Sequence, residues 1–289
     1  MIIESHAHYA YHKFEGDFPY LGEREGSFYV DDTRLSALIA DMKAKGIVGC
    51  IEPSIGFESI EKQLSLVKAH RGYLWATIGV HPTRCVHTAW KNREKVTEYA
   101  ETEEIVAIGE TGLDYHYKRK EQYRLRQKRW FVYQIKLADR LQLPLVLHIR
   151  MADRDALRIL KKYKNKLHGG VVHCFSGDSH LAAEYVKLGF AIGIGGKLLC
   201  EADAAALEDA VKNVPLSHLL VETDAPFVLP DLGKDVCSKK KREKLRNTSL
   251  ILPAVLERIA FLRGESKDAI EDAIYQNTLR IFRLHTENK

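Results

Sequence analysis

Two histidines, His6 and His8, stand two residues apart in the opening stretch MIIESHAHYA. In a β-strand, residues i and i+2 face the same way. If the short apolar run before them is a strand, both imidazoles leave its C-terminal end on one face. Two neutral imidazoles side by side are half of a site for a divalent metal. H-x-H is a short motif, so its meaning depends on what the other strands end in. The endings are GVHP (His81), AIGETGLDYH (Glu110, Asp114), LVLHIR (His148, Arg150), VVHCFSG (His173, Ser176) and LVETDAPF (Glu222, Asp224). Ligand-type side chains thus recur at the ends of the first, fourth, fifth, sixth and eighth candidate strands. One such histidine could be an ordinary core residue; five strand ends carrying His, Glu or Asp point to a shared metal site. Four His, one Glu and one Asp suit one or two borderline divalent ions with positions left for water. A closed, Cys-rich structural zinc site is not indicated, because the five cysteines are scattered and form no C-x-x-C pair.

The elements that must position these groups follow from short β-branched runs alternating with longer amphipathic patterns. The candidate strands are Ile2–Ser5, Ile47–Ile51, Leu74–Val80, Ile105–Gly109, Leu145–His148, Val171–His173, Phe190–Ile194 and Leu219–Glu222. Most are continuously apolar, as strands covered on both faces should be. Helices are expected at Thr33–Lys45, Glu58–His70, Lys91–Glu103, Gln122–Leu141, Asp153–Lys164, His180–Leu188, Asp203–Val214, Leu250–Leu262 and Lys267–Leu284. Gly46, Gly72 and Gly189 stand where helices should stop. Eight strands alternating with helices give an α/β fold of the (β/α)8 TIM-barrel type, taken as one domain over 1–289. In that fold the strand C-termini form the mouth that holds the active site. A doubly wound sheet is disfavoured, since no G-x-G-x-x-G follows the first strand. Two connections, Tyr9–Asp32 and Ala225–Arg246, are too long for simple turns and are read as long loops over the same mouth. The first is rich in aromatics and the second carries KDVCSKKKREKLR.

Composition narrows the class further. The 289 residues are 45% apolar, with net charge +5 and a pI near 8.8. A mildly basic chain is compatible with a polyanionic substrate but does not require one. Five cysteines without a pairing pattern fit a reducing compartment, and no apolar run approaches a membrane span. The expectation is a cytoplasmic protein without membrane attachment, more readily a monomer than an oligomer.

The ordered series ESHAH, GVHP, GETGLDYH, LPLVLHIR, HCFSG and ETDAPF resembles the TatD family of metal-dependent hydrolases and deoxyribonucleases, nearly from end to end. The resemblance implies hydrolysis of phosphodiesters, typically DNA trimmed from a 3′ end, with one or two divalent ions (Mg, Mn or Zn). It implies that His6, His8 and Asp224 hold one ion. Glu110 would bridge it to a second held by His148 and His173. Glu110 and Asp224 would be the catalytic carboxylates, Asp224 also taking the proton from the attacking water. His81 and Arg150 would line the substrate pocket. Arg246 and Asn247 match the family's Arg-Asn, with Arg246 a further substrate contact.

Beside that set, Arg150 has the planar fork that suits a phosphate. Asp114 and Glu222 are candidates to orient ligands from behind. Lys197 could reach a phosphate, and Tyr115 and His116 could stack on bases. The chain departs from the family pattern at Glu4-Ser5 in place of Asp-Thr or Asp-Ser, at His116, and at Thr248-Ser249 in place of Glu-Pro. None of these removes a ligand; they bear on substrate choice. The same metal site could instead cleave an ester or amide, as in a D-aminoacyl-tRNA deacylase or a lactonase-type amidohydrolase. Many amidohydrolase barrels bridge their metals with a strand-four lysine, and Glu110 stands there instead. A non-catalytic metal-binding barrel is disfavoured, because no ligand is missing.

Overall fold

Strand by strand, the apolar runs become β1 (Ile2–Glu4), β4 (Ile47–Glu52), β5 (Leu74–Ile78), β6 (Ile105–Asp114), β7 (Leu145–Arg150), β8 (Gly170–Val172), β9 (Phe190–Ile194) and β10 (Leu219–Val221). The computed structural model describes residues 1–56, 59–117, 121–200, 204–232 and 239–285. The eight strands form one sheet in the order β1-β4-β5-β6-β7-β8-β9-β10, and the five neighbouring pairs β1–β4, β5–β6, β6–β7, β7–β8 and β8–β9 run parallel. Helices follow the strands: α1 (Leu35–Ala44), α2 (Ile60–Ala69), α3 (Arg93–Ala100), α4 (Glu121–Leu141), α5 (Asp153–Lys162), α6 (Ser179–Val186) and α7 (Ala204–Asn213). Then come the short α8 (Lys239–Arg242), α9 (Leu252–Arg263) and α10 (Lys267–Phe282). This is the element order of the (β/α)8 class. Among the described residues no helix is long and apolar enough to cross a membrane.

Gly46, Gly72 and Gly189 have φ of +77°, +78° and +87°. That is the left-handed conformation a helix stop asks of glycine. The expected first residues of two helices, Glu58 and Asp203, lie outside the described residues, as do Cys237 and the 234–238 part of the basic run.

One expectation fails. The stretch Tyr9–Asp32 is not simply a long loop. It contains an antiparallel hairpin of β2 (Phe18–Arg24) and β3 (Ser27–Thr33). Its turn is Glu25-Gly26 with φ of +52° and +79°, the pair of positive values that matches strand twist in a two-residue hairpin. Gly22 is opposite Tyr29, and a Cβ on Gly22 would meet the Tyr29 ring at 2.3 Å, so the aromatic ring fills the space a side chain would take.

The chain clusters into two compact units. The first comprises Met1–Ile51, Cys174–Ala182 and Gly193–Asn277. Leu21 on the hairpin packs there with Leu232, Leu245 and Ile251, joined by Phe28, Val30 and Leu229. The second comprises Glu52–His173, Ala183–Ile192 and the chain from Thr278. In it α4 lays Trp130, Phe131, Ile135 and Ala138 into the interior and packs on β6.

Candidate metal centre

Each unit gathers metal-ligand side chains at the ends of its own strands. In the first unit, His6 and His8 leave the end of β1, and Asp224 follows β10. The backbone locks these ends together: Asp224 N–H donates to the His6 carbonyl at 2.9 Å, and His8 N–H donates to the Ala225 carbonyl at 2.7 Å. Asp224 takes φ +55°, a left-handed conformation that Asp tolerates better than most residues. Asn247 fixes the same turn by donating to the Thr223 and Val228 carbonyls at 3.0 and 3.1 Å. The result is three donor atoms side by side. His6 Nε2 and His8 Nε2 are 3.2 Å apart, and they lie 3.7 and 3.3 Å from Asp224 Oδ1.

The second unit gathers His81 after β5, Glu110 and Asp114 on β6, His148 on β7 and His173 after β8. His173 Nε2 is 2.9 Å from Glu110 Oε1 and 3.1 Å from His148 Nδ1, and His148 Nδ1 is 3.6 Å from Glu110 Oε1. His81 Nε2 is 3.6 Å from the same Glu110 oxygen. Asp114 Oδ2 receives His148 Nε2 at 3.1 Å, which leaves Nδ1 of that ring facing Glu110 and His173. A carboxylate behind a histidine in this way fixes which nitrogen can serve as a ligand.

Bonds of about 2.0–2.2 Å to a divalent ion place neighbouring donors about 3.0–3.6 Å apart. The triplets His6–His8–Asp224, at 3.2–3.7 Å, and Glu110–His148–His173, at 2.9–3.6 Å, lie close to that spacing. The donor chemistry, imidazole and carboxylate without thiolate, suits a borderline divalent ion such as zinc. The side chains therefore fit a bound metal in each unit.

The protonation of the second set is uneven. Burial works against charge on His148, but the Asp114 and Glu110 carboxylates outweigh it and raise its pKa to about 9. Burial, with His148 beside it, lowers His81 to about 3. The two rings touch, with centroids 4.4 Å apart. The carboxylates thus favour a proton on His148, while burial disfavours one on His81. In the first unit, Glu222 is pushed well above the ordinary carboxylate range by burial and by Asp224.

The remaining sequence candidates scatter. Glu222 accepts a hydrogen bond from the Cys174 backbone N–H. Arg246 donates its guanidinium to the Lys13 carbonyl at 3.0 Å, ahead of the hairpin, and to the Lys244 carbonyl, while its backbone bonds to Pro19 and Leu21 of the hairpin. Lys197 Nζ donates to the Cys174 carbonyl at 3.2 Å. Tyr115 donates its hydroxyl to Asp155 at 2.8 Å. Arg150 is exposed, lies over the Tyr117 ring at 4.8 Å, and pairs with no carboxylate among the described residues.

Two residues the sequence reading passed over do much of the aiming. Gln127 and Gln134 are buried on α4, seven residues apart and so on one face. Gln127 closes a two-way pair with the Asp114 backbone, both bonds at 2.9 Å. Gln134 accepts from Val80 N–H at 2.6 Å and donates to Thr111 Oγ1 at 2.7 Å. Between them β6 shifts register, between Ile108 and Thr111, which frees backbone groups around Gly109 and Glu110. Thr77 and Ser54 hydroxyls donate to the Gly109 carbonyl at 2.6 and 3.3 Å. The irregular strand is held in place by these buried donors and acceptors, which meet polar groups the broken ladder leaves open. The signal was present: two glutamines on the apolar face of a helix ask for such a task.

With this geometry in hand, comparison with known proteins is direct. The TatD related DNase family matches residues 3–283. A 3′-5′ ssDNA/RNA exonuclease TatD from a Rahnella species is 36% identical over 227 residues, covering 78% of this chain and 83% of that protein. The uncharacterized metal-dependent hydrolase YabD of Bacillus subtilis is 30% identical over 256 residues, covering 88% and 94%. The crystal structure of YJJV, a TatD homologue from Escherichia coli, superposes with a TM-score of 0.78 at 26% identity over 98% of each chain. The fold and the ligand-bearing strand ends define a metal-dependent hydrolase of the TIM-barrel class. Within that class, this chain belongs to the TatD related DNase family.

Proposed function

We propose that this chain is a 3′-exonuclease-like deoxyribonuclease that hydrolyses phosphodiesters of single-stranded nucleic acid in the cytoplasm. In this reading His6, His8 and Asp224 hold one divalent ion, and Glu110, His148 and His173 hold another. The observation that supports it most is the donor spacing of 2.9–3.7 Å within each triplet. A bound divalent ion supplies positive charge that acidifies water and neutralises phosphate oxygens. The chain's own groups do the rest. Asp224 Oδ1 accepts the proton as water attacks phosphorus, a role that typically contributes ~10²–10⁴-fold. Asp114 keeps His148 oriented through its Nε2. His81, whose pKa is lowered by burial and by His148, places its ring 3.6 Å from Glu110 Oε1.

An end-labelled time course tests this. Single- and double-stranded DNA, RNA and an aminoacyl-tRNA ester are offered to the protein with Mg²⁺, Mn²⁺ or Zn²⁺, and after chelation. The expected result is stepwise shortening of single strands from the 3′ end, abolished by chelation and restored by metal. Hydrolysis of the aminoacyl ester alone would move the activity to the ester-cleaving alternative, and full nuclease activity in a verified metal-free preparation would reject the metal-dependent reading.

A further inference from the structure

Tyr117 is 63% exposed, an unusual place for a large ring that is not itself at a chain end. Its setting is ordered. The Arg150 guanidinium lies over it at 4.8 Å, and the His116 ring meets it edge-on with centroids 4.6 Å apart. A ring covered by a guanidinium on one face and still this exposed presents its other face to solvent. Its backbone is tied to the ligands by one carboxylate. Asp114 Oδ1 accepts the Tyr117 N–H at 2.9 Å, while Asp114 Oδ2 receives His148 Nε2 at 3.1 Å. Arg150 is registered in the same way. It follows His148 by two residues on β7, about 6.6 Å along the strand, and pairs in register with Asp114 on β6. The Tyr115 N–H donates to the Arg150 carbonyl at 2.9 Å, which closes the turn. The Tyr117 backbone and the His148 ring are thus anchored on the same carboxylate.

We propose that Tyr117, backed by Arg150, is a stacking subsite for an unpaired nucleobase of a single strand whose phosphodiester lies at the Glu110–His148–His173 set. This rests on the nuclease reading above. An exposed ring carrying a cation is suited to a base, because every base has a π-face and a guanidinium adds a cation–π contribution. Stacking also explains a requirement for unpaired ends: a base inside a duplex is already stacked and cannot reach the ring.

The test uses the metal-loaded full chain and two substrates that differ only in carrying a base or an abasic sugar at the 3′-terminal nucleotide. Wild type should prefer the base-bearing end in kcat/KM by about 5- to 150-fold. Tyr117→Ala should bring that ratio close to one, whereas Tyr117→Phe and Tyr117→Trp should keep it. In parallel, a phosphorothioate strand with terminal 2-aminopurine should lose fluorescence on binding wild type and keep it with Tyr117→Ala. Should the alanine variant not fold, Tyr117→Leu takes its place. An unchanged ratio in Tyr117→Ala, with both substrates slowed equally or not at all, would overturn the subsite while leaving the nuclease reading intact. If wild type cleaves no strand yet quenches 2-aminopurine through Tyr117, the nuclease reading fails and the subsite stands. Absence of both cleavage and quenching removes both.

Discussion

Behind His6 lies the Glu4 carboxylate. Glu4 is fully buried, and its charge is answered only by donors: Thr223 N–H at 2.7 Å, Thr223 Oγ1 at 2.9 Å and His6 N–H at 3.3 Å. The Ser249 hydroxyl adds a fourth, and is itself 2.6 Å from the Tyr9 hydroxyl. Burial outweighs these donors and raises Glu4 to about 7. A carboxyl whose folded pKa exceeds its unfolded value stabilises the fold fully below the unfolded pKa of 4.5, and that contribution is lost as pH rises towards 7. Gln at this position keeps an acceptor for the two backbone N–H groups and turns its amide towards Thr223 Oγ1, with no proton to lose. Metal-free wild type should therefore lose stability relative to Glu4→Gln between pH 4.5 and 7, by roughly 3 kcal/mol at most, and by nothing further above that range. Urea titrations of both proteins at several pH values measure it, and parallel pH profiles would show that Glu4 stays ionised throughout. The network also gives the Ser249 departure from the family pattern a physical meaning: a hydroxyl there serves a longer acidic side chain at position 4.

At the scale of elements, the eight sheet strands were legible because continuous apolar runs of this length have few other uses. Phe190–Ile194 matches to the residue, while Ile105–Gly109 extends to Asp114. That extension was hidden because GETGLD looks like a loop by composition. Gln127 and Gln134 on α4, with the Thr77 and Ser54 hydroxyls, hold its irregular backbone, and they are distant in sequence. The hairpin was hidden for a different reason. Pro19 and Gly22 within β2 lower its strand signal, and its packing on Leu232, Leu245 and Ile251 cannot be read locally. The candidate ligand residues could be picked out by type and by their place at strand ends, with His6 and His8 also at i, i+2 spacing; which hydrogen bonds turn them could not. Gly170 is another element whose importance is only spatial. It opens β8 with φ +135°, and a Cβ there would sit 1.9 Å from the Leu145 carbonyl oxygen on β7. No side-chain motion can relieve a clash with backbone, so Gly170→Ala should destabilise by more than ~3 kcal/mol or prevent folding. Expression yield and the denaturant midpoint check this, and a midpoint close to wild type would show that β7 and β8 can separate there without loss.

Across the whole molecule, the proposed ligand triplets would make metal binding part of the stability of the fold. An ion that binds the folded chain and not the unfolded one stabilises it by about 2.7 kcal/mol at a free concentration 100 times its dissociation constant. Each triplet is built from strand ends within its own unit, so each should contribute its own increment. Titrating Mn²⁺ or Zn²⁺ into chelated protein at fixed pH should raise the unfolding midpoint. His8→Ala should remove the share that depends on the first unit, and His148→Ala the share that depends on the second, each variant keeping the other. Holding the pH fixed matters, because imidazole ligands must be neutral to bind, and His148 gives up a proton held to about 9 when an ion takes its Nδ1. The gain in the His8→Ala variant, which rests on His148, should therefore shrink as pH falls below about 9. If either single substitution abolishes the whole gain, the ions bind only as a coupled pair; if neither changes it, these donors are not where the metal goes.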